Sequence, residues 1–216
     1  MSDTHGDPHF DAAFRERLAD LLAWRRDVRR FRPDPLPDGA LDRLLGLACL
    51  APSVGLSQPW RFVIVEDRAR RQKVRESFLQ CNAEALGDYR GERAKLYATL
   101  KLAGLDEAPV HLAVFAERAT PQGQGLGRRT MPEMADFSVV TAIHTLWLAA
   151  RAEDIGVGWV SILDPGEVAA ALDVPAGWSL IAYLCIGYPQ DDALMPELQR
   201  VGWEHRRAPE AFVLRR

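Results

Sequence analysis

Residues 132–156, PEMADFSVVTAIHTLWLAARAEDIG, restrict the fold of this chain more than any other segment. Pro132 is typical of a first helical turn and Gly156 of a helix C-terminus, so the segment predicts one long helix. Its apolar residues cover most of the helix circumference, and a helix with that pattern is buried on several sides. The rest of the chain must therefore enclose this helix.

Shorter periodic segments supply those surroundings. Strands are predicted at residues 61–66, 110–116, 157–163 and 179–187. Helices are predicted at residues 10–26, 67–86, 92–102 and 165–172, with a further helix capped by Asp38. Residues 118–131 are Gly-rich and basic, and we expect a mobile loop there. Because helices and strands are mixed along the chain, we expect one α+β domain in residues 10–216 after a disordered tail at residues 1–9.

The composition argues against several classes of protein. The 216 residues include 27 Lys+Arg and 30 Asp+Glu, and the resulting net charge of −3 gives no general attraction to nucleic acid. The three cysteines form no C-x-x-C pair and the five histidines are scattered, which argues against a disulfide framework and a metal site. The sequence has no apolar run of about 18 residues, and its first residues do not resemble a signal peptide. We therefore expect a cytoplasmic protein with no metal, no nucleic-acid partner and no membrane contact.

The C-terminal segment, residues 188–216, contains Trp203, Phe212 and several leucines but has no strong periodicity. Apolar side chains in such a segment must pack on something, and a second subunit would cover them. We therefore expect a homodimer held largely by the long helix and this tail.

A basic segment, RRDVRR at residues 25–30, ends the first predicted helix. Arg25 and Arg29 are four residues apart, so they share a face if the helix continues. Paired guanidinium groups suit a phosphate because they make bidentate hydrogen bonds. The alternative is that these arginines only offset the negative end of the helix dipole, with Asp27 as a salt-bridge partner.

Four motifs together resemble the FMN-dependent nitroreductase superfamily, over about residues 18–207. They are RRDVR at 25–29, APSVGLSQPW at 51–60, GVGWVS at 156–161, and an ending from PEL at 196–198 through GW at 202–203 to Arg206. Asp27 stands where ordinary nitroreductases usually carry Ser, and Leu56 where they usually carry Asn. Residues 91–105, GERAKLYATLKLAGL, match a segment that closes over the flavin. With these features the chain resembles the BluB family, the 5,6-dimethylbenzimidazole synthases.

The resemblance implies a nitroreductase-like α+β fold with a central mixed sheet flanked by helices. It also implies a homodimer with flavin sites at the subunit interface and domain-exchanged C-terminal tails. The implied activity is that of an oxidoreductase that consumes reduced FMN and dioxygen. Its products would be 5,6-dimethylbenzimidazole, the lower ligand of vitamin B12, and erythrose 4-phosphate. A separate flavin reductase would supply the reduced FMN, and NAD(P)H would not be used directly.

The resemblance further implies a set of site residues. Asp27 and Ser161 are the expected catalytic residues, since a carboxylate can take and return protons and a serine hydroxyl can hold an oxyanion. Arg206 is expected to complete the phosphate site, and Leu102 to contribute from the segment over the flavin. The expected FMN-binding residues are Arg25, Arg26, Asp27, Val28, Arg29, Ser53, Gly55, Gln58, Leu102, Ser161 and Arg206.

Two other functions stay open. One is an NAD(P)H-dependent FMN nitroreductase, which Asp27 and the segment over the flavin argue against. The other is a non-catalytic flavin-binding protein, which would have no use for a carboxylate and a serine at the reacting face. His144, on the long helix, is interpreted as a core or interface histidine rather than as a catalyst. Residues 123–127, GQGLG, lack the spacing of a dinucleotide-binding motif.

Overall fold

The computed structural model describes residues 9–99 and 103–216, in which four strands form one sheet. The strands are β1 (Trp60–Ile64), β2 (Val110–Glu117), β3 (Gly156–Val160) and β4 (Trp178–Gly187). They lie in the order β1-β2-β4-β3, so β4 occupies an inner position although it comes last in the sequence. The edge strand β3 is therefore open to the segments that form the candidate site.

Helices cover both faces of this sheet. They are α1 (Ala12–Trp24), α2 (Ala40–Ala48), α3 (Arg68–Gly87), α4 (Gly91–Thr99), α5 (Gly104–Glu107), α6 (Met134–Ala152), α7 (Pro165–Leu172) and α8 (Glu197–Arg200). Short 3-10 turns lie at Val54–Leu56, Gln122–Gly125 and Pro209–Phe212. The α+β class predicted from the sequence is confirmed.

The expectation of a mixed sheet is wrong. All three ladders, β1 with β2, β2 with β4 and β4 with β3, are antiparallel. Among the described residues, parallel pairing is limited to one isolated bridge between Asp27 and Val157. That bridge does not make a strand. It attaches the segment between α1 and α2 to the outer side of β3.

Alternate residues of β2 enter two separate cores, one on each face of the sheet. Leu112 and Val114 pack with α2 and α6, whereas Ala113 and Phe115 pack on the side of α3 and α7. This period of two is the pattern of a strand that is buried on both faces.

The long helix α6 is buried mainly along the side that faces the sheet and α2. Its buried residues are Ala135, Ser138, Val139, Ala142, Ile143, Leu146 and Ala150. Phe137, Val140 and His144 are exposed on the single chain. The expected burial on several sides is therefore incomplete in one copy, and His144 does not lie in its core.

Three predicted boundaries are wrong, each for a local reason. Helix α1 ends at Trp24 because Arg25 is extended, with ψ at 125°, so Arg25 and Arg29 do not share a helical face. Helix α2 is preceded by Gly39 in the left-handed conformation, φ 73°, and Asp38 does not cap it. Strand β3 stops at Val160 rather than at residue 163, and Asp164 then caps α7 by accepting from the N–H of Glu167.

The C-terminal segment packs on its own chain as far as Trp203. Phe31 bridges to Pro189, and the Trp203 ring lies 5.5 Å from that of Tyr89. Phe212 and Leu214 are exposed. Domain exchange of the tail stays a prediction. Within the described ranges, no helix is long and apolar enough to cross a membrane.

Candidate active site

The backbone of residues 27–28 lies directly against β3, and glycine makes this approach possible. The N–H of Val28 donates to the carbonyl of Val157 at 3.1 Å. A Cβ on Gly158 would overlap the carbonyl oxygen of Val28, and a Cβ on Gly156 would lie 2.7 Å from the Val28 side chain. The small residues of the GVGW motif therefore allow the RRDVR segment to reach the sheet.

This close approach places the carboxylate of Asp27 over β3. Its Oδ1 accepts a 2.8 Å hydrogen bond from the N–H of Trp159, and its Oδ2 lies 4.0 Å from Nε of Arg29. Burial raises the pKa of Asp27, an effect that the bond from Trp159 and the charges of Arg29 and Arg25 oppose, while the negative charge of Glu197 adds to it. The net direction is upward, so Asp27 holds a proton more readily than an exposed aspartate.

A cleft of about 170 Å³ opens beside this carboxylate. It is lined by Arg25, Arg26, Asp27, Arg29, Pro196, Glu197, Leu198 and Arg206. Burial lowers the pKa of Arg25; the negative charge of Asp27 opposes this shift, and the positive charge of Arg206 adds to it. In the part of the chain that the structure describes, neither Arg25 nor Arg206 forms a salt bridge, so two like charges face one cleft. A phosphate dianion fits this arrangement because it would relieve their repulsion and accept from both.

Arg26 lines the same cleft but has other partners. Its Nε donates to the carbonyl of Ala193 at 3.1 Å, and its guanidinium also contacts the carbonyls of Ala23 and Leu194. These bonds tie the C-terminal segment to the end of α1. Arg26 therefore holds the wall of the cleft together and has few donors left for a ligand.

Ser161 lies just past the end of β3 and is exposed. It follows Trp159 by two residues, which corresponds to about 7 Å along an extended chain. Ser161 therefore belongs to the segment that leaves β3, two residues beyond the backbone N–H that binds Asp27.

The predicted loop residues Ser53, Gly55 and Gln58 form a separate unit. The Ser53 hydroxyl accepts from the N–H of Gln58 at 3.1 Å, and the Gln58 side chain accepts from Gln122 at 2.9 Å. Gly55 has φ 58°, and a Cβ there would lie 2.9 Å from the carbonyl oxygen of Leu126. The Gly-rich residues 122–127 therefore pack directly on this loop.

The distance between this loop and the arginine cleft follows from their contacts with α6. The N–H of Val54 donates to Ser138 at 3.0 Å, whereas the carbonyl of Arg26 accepts from Trp147 at 2.9 Å. Nine residues of helix correspond to about 13 Å. The structure thus brings together Arg25, Arg26, Asp27 and Arg29 with Arg206, whereas Val28 packs against Gly156. It does not bring Ser53, Gly55 or Gln58 into that cleft. Leu102 lies outside the described residues.

Sequence reasoning missed Trp147 and gave Glu197 no role. Trp147 stands on a helix that is apolar almost all round, so its pattern could not show which side faces the arginines. Glu197 belongs to the PEL motif, and that motif was the available signal. Across residues 9–99 and 103–216, no cluster of three or more His, Cys, Asp or Glu is placed to hold a metal.

Comparison with known proteins identifies the family. The model of the Nitroreductase family matches residues 22–188. This chain belongs to the nitroreductase family. Within the family it is 59% identical over 208 residues to the 5,6-dimethylbenzimidazole synthase of Rhodospirillum rubrum, covering 96% of this chain and 98% of that protein. It is 48% identical over 196 residues to the 5,6-dimethylbenzimidazole synthase of Rhodobacter capsulatus, covering 91% and 95%.

A solved nitroreductase-like structure supports the fold. Oxidized iodotyrosine deiodinase bound to FMN and 3-iodo-L-tyrosine superposes with a TM-score of 0.69 and 30% identity, covering 82% of this chain and 91% of that chain. The nitroreductase-like fold and the resemblance to 5,6-dimethylbenzimidazole synthases predicted from the motifs are therefore confirmed.

Proposed function

We propose that this chain is a 5,6-dimethylbenzimidazole synthase, which breaks down reduced FMN with dioxygen and releases erythrose 4-phosphate as the second product. The observation that carries the proposal is the Asp27 carboxylate, held by the N–H of Trp159 beside a cleft where, among the described residues, Arg25 and Arg206 form no salt bridge. Its support from relatives is the identity of 59% to a protein of that name over almost the whole chain.

The arginine cleft would hold the phosphate of FMN. Arg25 and Arg206 provide the charges, and Arg29 stands next to Asp27. When bound, the reduced flavin supplies the electrons that activate dioxygen. This division leaves Arg26 as a structural residue of the cleft wall.

Asp27 and Ser161 would act on protons at the flavin ring. The pKa of Asp27 is raised by burial, so this carboxyl group holds a proton more readily than an exposed aspartate and can return it to the ring. The exposed hydroxyl of Ser161 can donate to an oxygen or accept from a nitrogen of the ring. An ordinary flavin reductase has no need of a half-buried carboxylate at this position.

A complete site would need two copies of the chain. The cleft of about 170 Å³ is smaller than the roughly 300–1,000 Å³ of pockets that enclose a whole small ligand. Several large apolar side chains near the 53–58 loop and along α6 are exposed, namely Leu50, Leu56, Leu126, Phe137 and Val140. A homodimer would bury this surface and bring the loop of one copy to the arginine cleft of the other.

The experiment supplies photoreduced FMN to the protein and then admits air. Formation of 5,6-dimethylbenzimidazole, followed by chromatography, is the expected result, and an anaerobic sample is the control. Steady oxidation of NADH or NADPH with a nitroaromatic compound, without benzimidazole, would favour a nitroreductase instead. Stoichiometric flavin binding with neither reaction would indicate a non-catalytic flavin-binding protein. The proposal also requires a separate reductase, so rapid reduction of bound FMN by NAD(P)H alone would contradict that part.

A further inference from the structure

Trp147, on α6, contacts the candidate site in three ways. The guanidinium carbon of Arg25 lies 4.8 Å from the centroid of its ring. Its indole N–H donates to the carbonyl oxygen of Arg26 at 2.9 Å. Its ring also packs at 6.2 Å from that of Trp159, whose backbone N–H binds Asp27. One side chain thus contacts both the cation and the backbone that leads to the carboxylate.

The bond to Arg26 fixes more than one atom. The carbonyl of Arg26 and the N–H and Cα of Asp27 belong to the same planar peptide unit. The hydrogen bond from Trp147 to that carbonyl therefore restricts the position of the Asp27 Cα, from which the carboxylate side chain extends. The N–H of Trp159 holds the other end of the same side chain.

The ring face has a different effect. A guanidinium over an indole is attracted to its π system, and this contact is strongest where water is partly excluded. Arg25 is partly buried and has no salt bridge within the described residues. The contact of its guanidinium with the face of Trp147 therefore orients it toward the cleft. Without the Trp147 ring, repulsion from Arg206 would turn the Arg25 side chain away from the cleft.

We infer that Trp147 is a positioning residue, whose ring aims Arg25 at the anion and whose indole N–H sets the Asp27 carboxylate over β3. The inference rests on the proposed function only in taking the anion to be the FMN phosphate. It predicts that the two effects separate. Trp147→Phe keeps an aromatic face and loses the N–H, whereas Trp147→Leu loses both.

The ring effect is measured by equilibrium binding of oxidised FMN and of riboflavin, which lacks the phosphate. The preference for FMN should fall about tenfold in Trp147→Leu and stay near the wild-type value in Trp147→Phe. Trp178→Phe, at the far end of β4 beside Phe115, is the control for the general loss of an indole. An unchanged FMN preference in Trp147→Leu would refute the role of the ring.

The N–H effect is measured by amide hydrogen exchange, which needs no turnover. Exchange at the N–H of Trp159 should speed up about tenfold in Trp147→Phe, while that at Leu184 in the core of β4 should not change. Equal acceleration at both amides would mean that Trp147 only stabilises the fold and would overturn the inference. In the same variant, benzimidazole formed per bound flavin should fall, provided that the wild type forms it. If the wild type forms none, the proposed function fails, and the binding and exchange results still decide the role of Trp147.

Discussion

The backbone N–H of Trp159 donates a 2.8 Å hydrogen bond to the carboxylate of Asp27, across 132 residues of sequence. By contrast, the nearest arginine nitrogen, Nε of Arg29, lies 4.0 Å from that carboxylate. Asp27 is thus held chiefly by the sheet and not by the arginines beside it. This geometry argues against a role for Asp27 as a salt-bridge partner only, and its proposed catalytic role can be tested.

Asp27→Asn should abolish benzimidazole formation without loosening the fold. The amide keeps an oxygen that can accept from Trp159, but it cannot exchange a carboxyl proton. Ser161→Ala should have the same effect on product, since it removes one exposed hydroxyl. Both variants should still bind reduced FMN, measured by fluorescence under anaerobic conditions. In air they should release intact FMN, detected by chromatography.

Thermal unfolding of Asp27→Asn distinguishes the proposed catalytic role of Asp27 from a structural one. The folded-state pKa of Asp27 is raised, so the folded chain binds a proton more tightly than the unfolded chain does. The stability of the wild type therefore falls as pH rises from the unfolded-state pKa of Asp27 to its folded-state pKa. Asp27→Asn should then be at least as stable as wild type at pH 7. The advantage of the variant should shrink on acidification. A marked loss of stability at pH 7, with product per bound flavin unchanged, would return Asp27 to a structural salt bridge.

Gly158→Ala should displace the segment that carries Asp27. A Cβ at this position overlaps the carbonyl of Val28, and both groups are backbone-bound and cannot move apart cheaply. We expect a loss of about 1–3 kcal/mol of unfolding free energy, measured in urea, together with weaker FMN binding. Gly177→Ala is the matched control, because nothing lies within 4 Å of a Cβ there. Wild-type stability and binding in Gly158→Ala would show that residues 27–28 do not need this close approach.

The elements with strong local signals could be predicted from sequence. Helices α3, α6 and α7 and strands β2 and β4 all lie within a few residues of their predicted bounds. Proline, glycine and capping aspartates mark several of these ends, and such signals act within a few residues. The motif at residues 25–29 pointed to Arg25, Asp27 and Arg29, which line one cleft in the structure.

What failed depends on contacts between distant segments. Strand polarity is set by pairing across the sheet, so the antiparallel order could not be read from the chain. The role of Arg26 as a clamp for the carbonyls of Ala193 and Leu194 needs residues more than 160 positions away. The same holds for the distance between Gly55 and Asp27. Gly55 and Asp27 each belong to a motif of the resemblance, yet their contacts with α6 hold the two motifs apart within one copy.

Arg206→Ala should weaken FMN binding by about ten- to a hundredfold and leave riboflavin binding nearly unchanged, because the proposed partner of Arg206 is the phosphate. Titration of both ligands by flavin fluorescence measures the difference. The neighbouring variant Arg207→Ala removes an equal charge from an exposed position that does not line the cleft. An equal loss for FMN and riboflavin would place Arg206 away from the phosphate.

The stability of the chain should also depend on His111 in mildly acidic solution. His111 is buried with its Nδ1 2.9 Å from the Tyr183 hydroxyl, and burial lowers its pKa to about 4. An unfolded histidine titrates near 6.5, so the unfolded chain binds more protons between these values. Stability should therefore fall as pH drops from about 6.5 to 4, by up to about 3 kcal/mol. Urea unfolding across this range should show a weaker dependence in His111→Gln, and an equal slope in both proteins would contradict the assignment.

The proposed two-copy site predicts complementation between two inactive variants. Arg206→Ala damages the cleft, and Gly55→Val damages the loop, because a side chain at Gly55 would strike the backbone of Leu126. If each site takes its cleft from one copy and its loop from the other, a heterodimer has one site with both defects and one with neither. Co-expressed variants with different tags, purified through both tags, should then regain about half of the wild-type product per dimer. At an FMN concentration too low to fill the weakened Arg206→Ala site, separate homodimers of either variant should form little product, and light scattering should give a dimer mass for all of them. A heterodimer with no recovered product, or a monomer by light scattering at micromolar concentration, would mean that the cleft and the loop do not meet between copies.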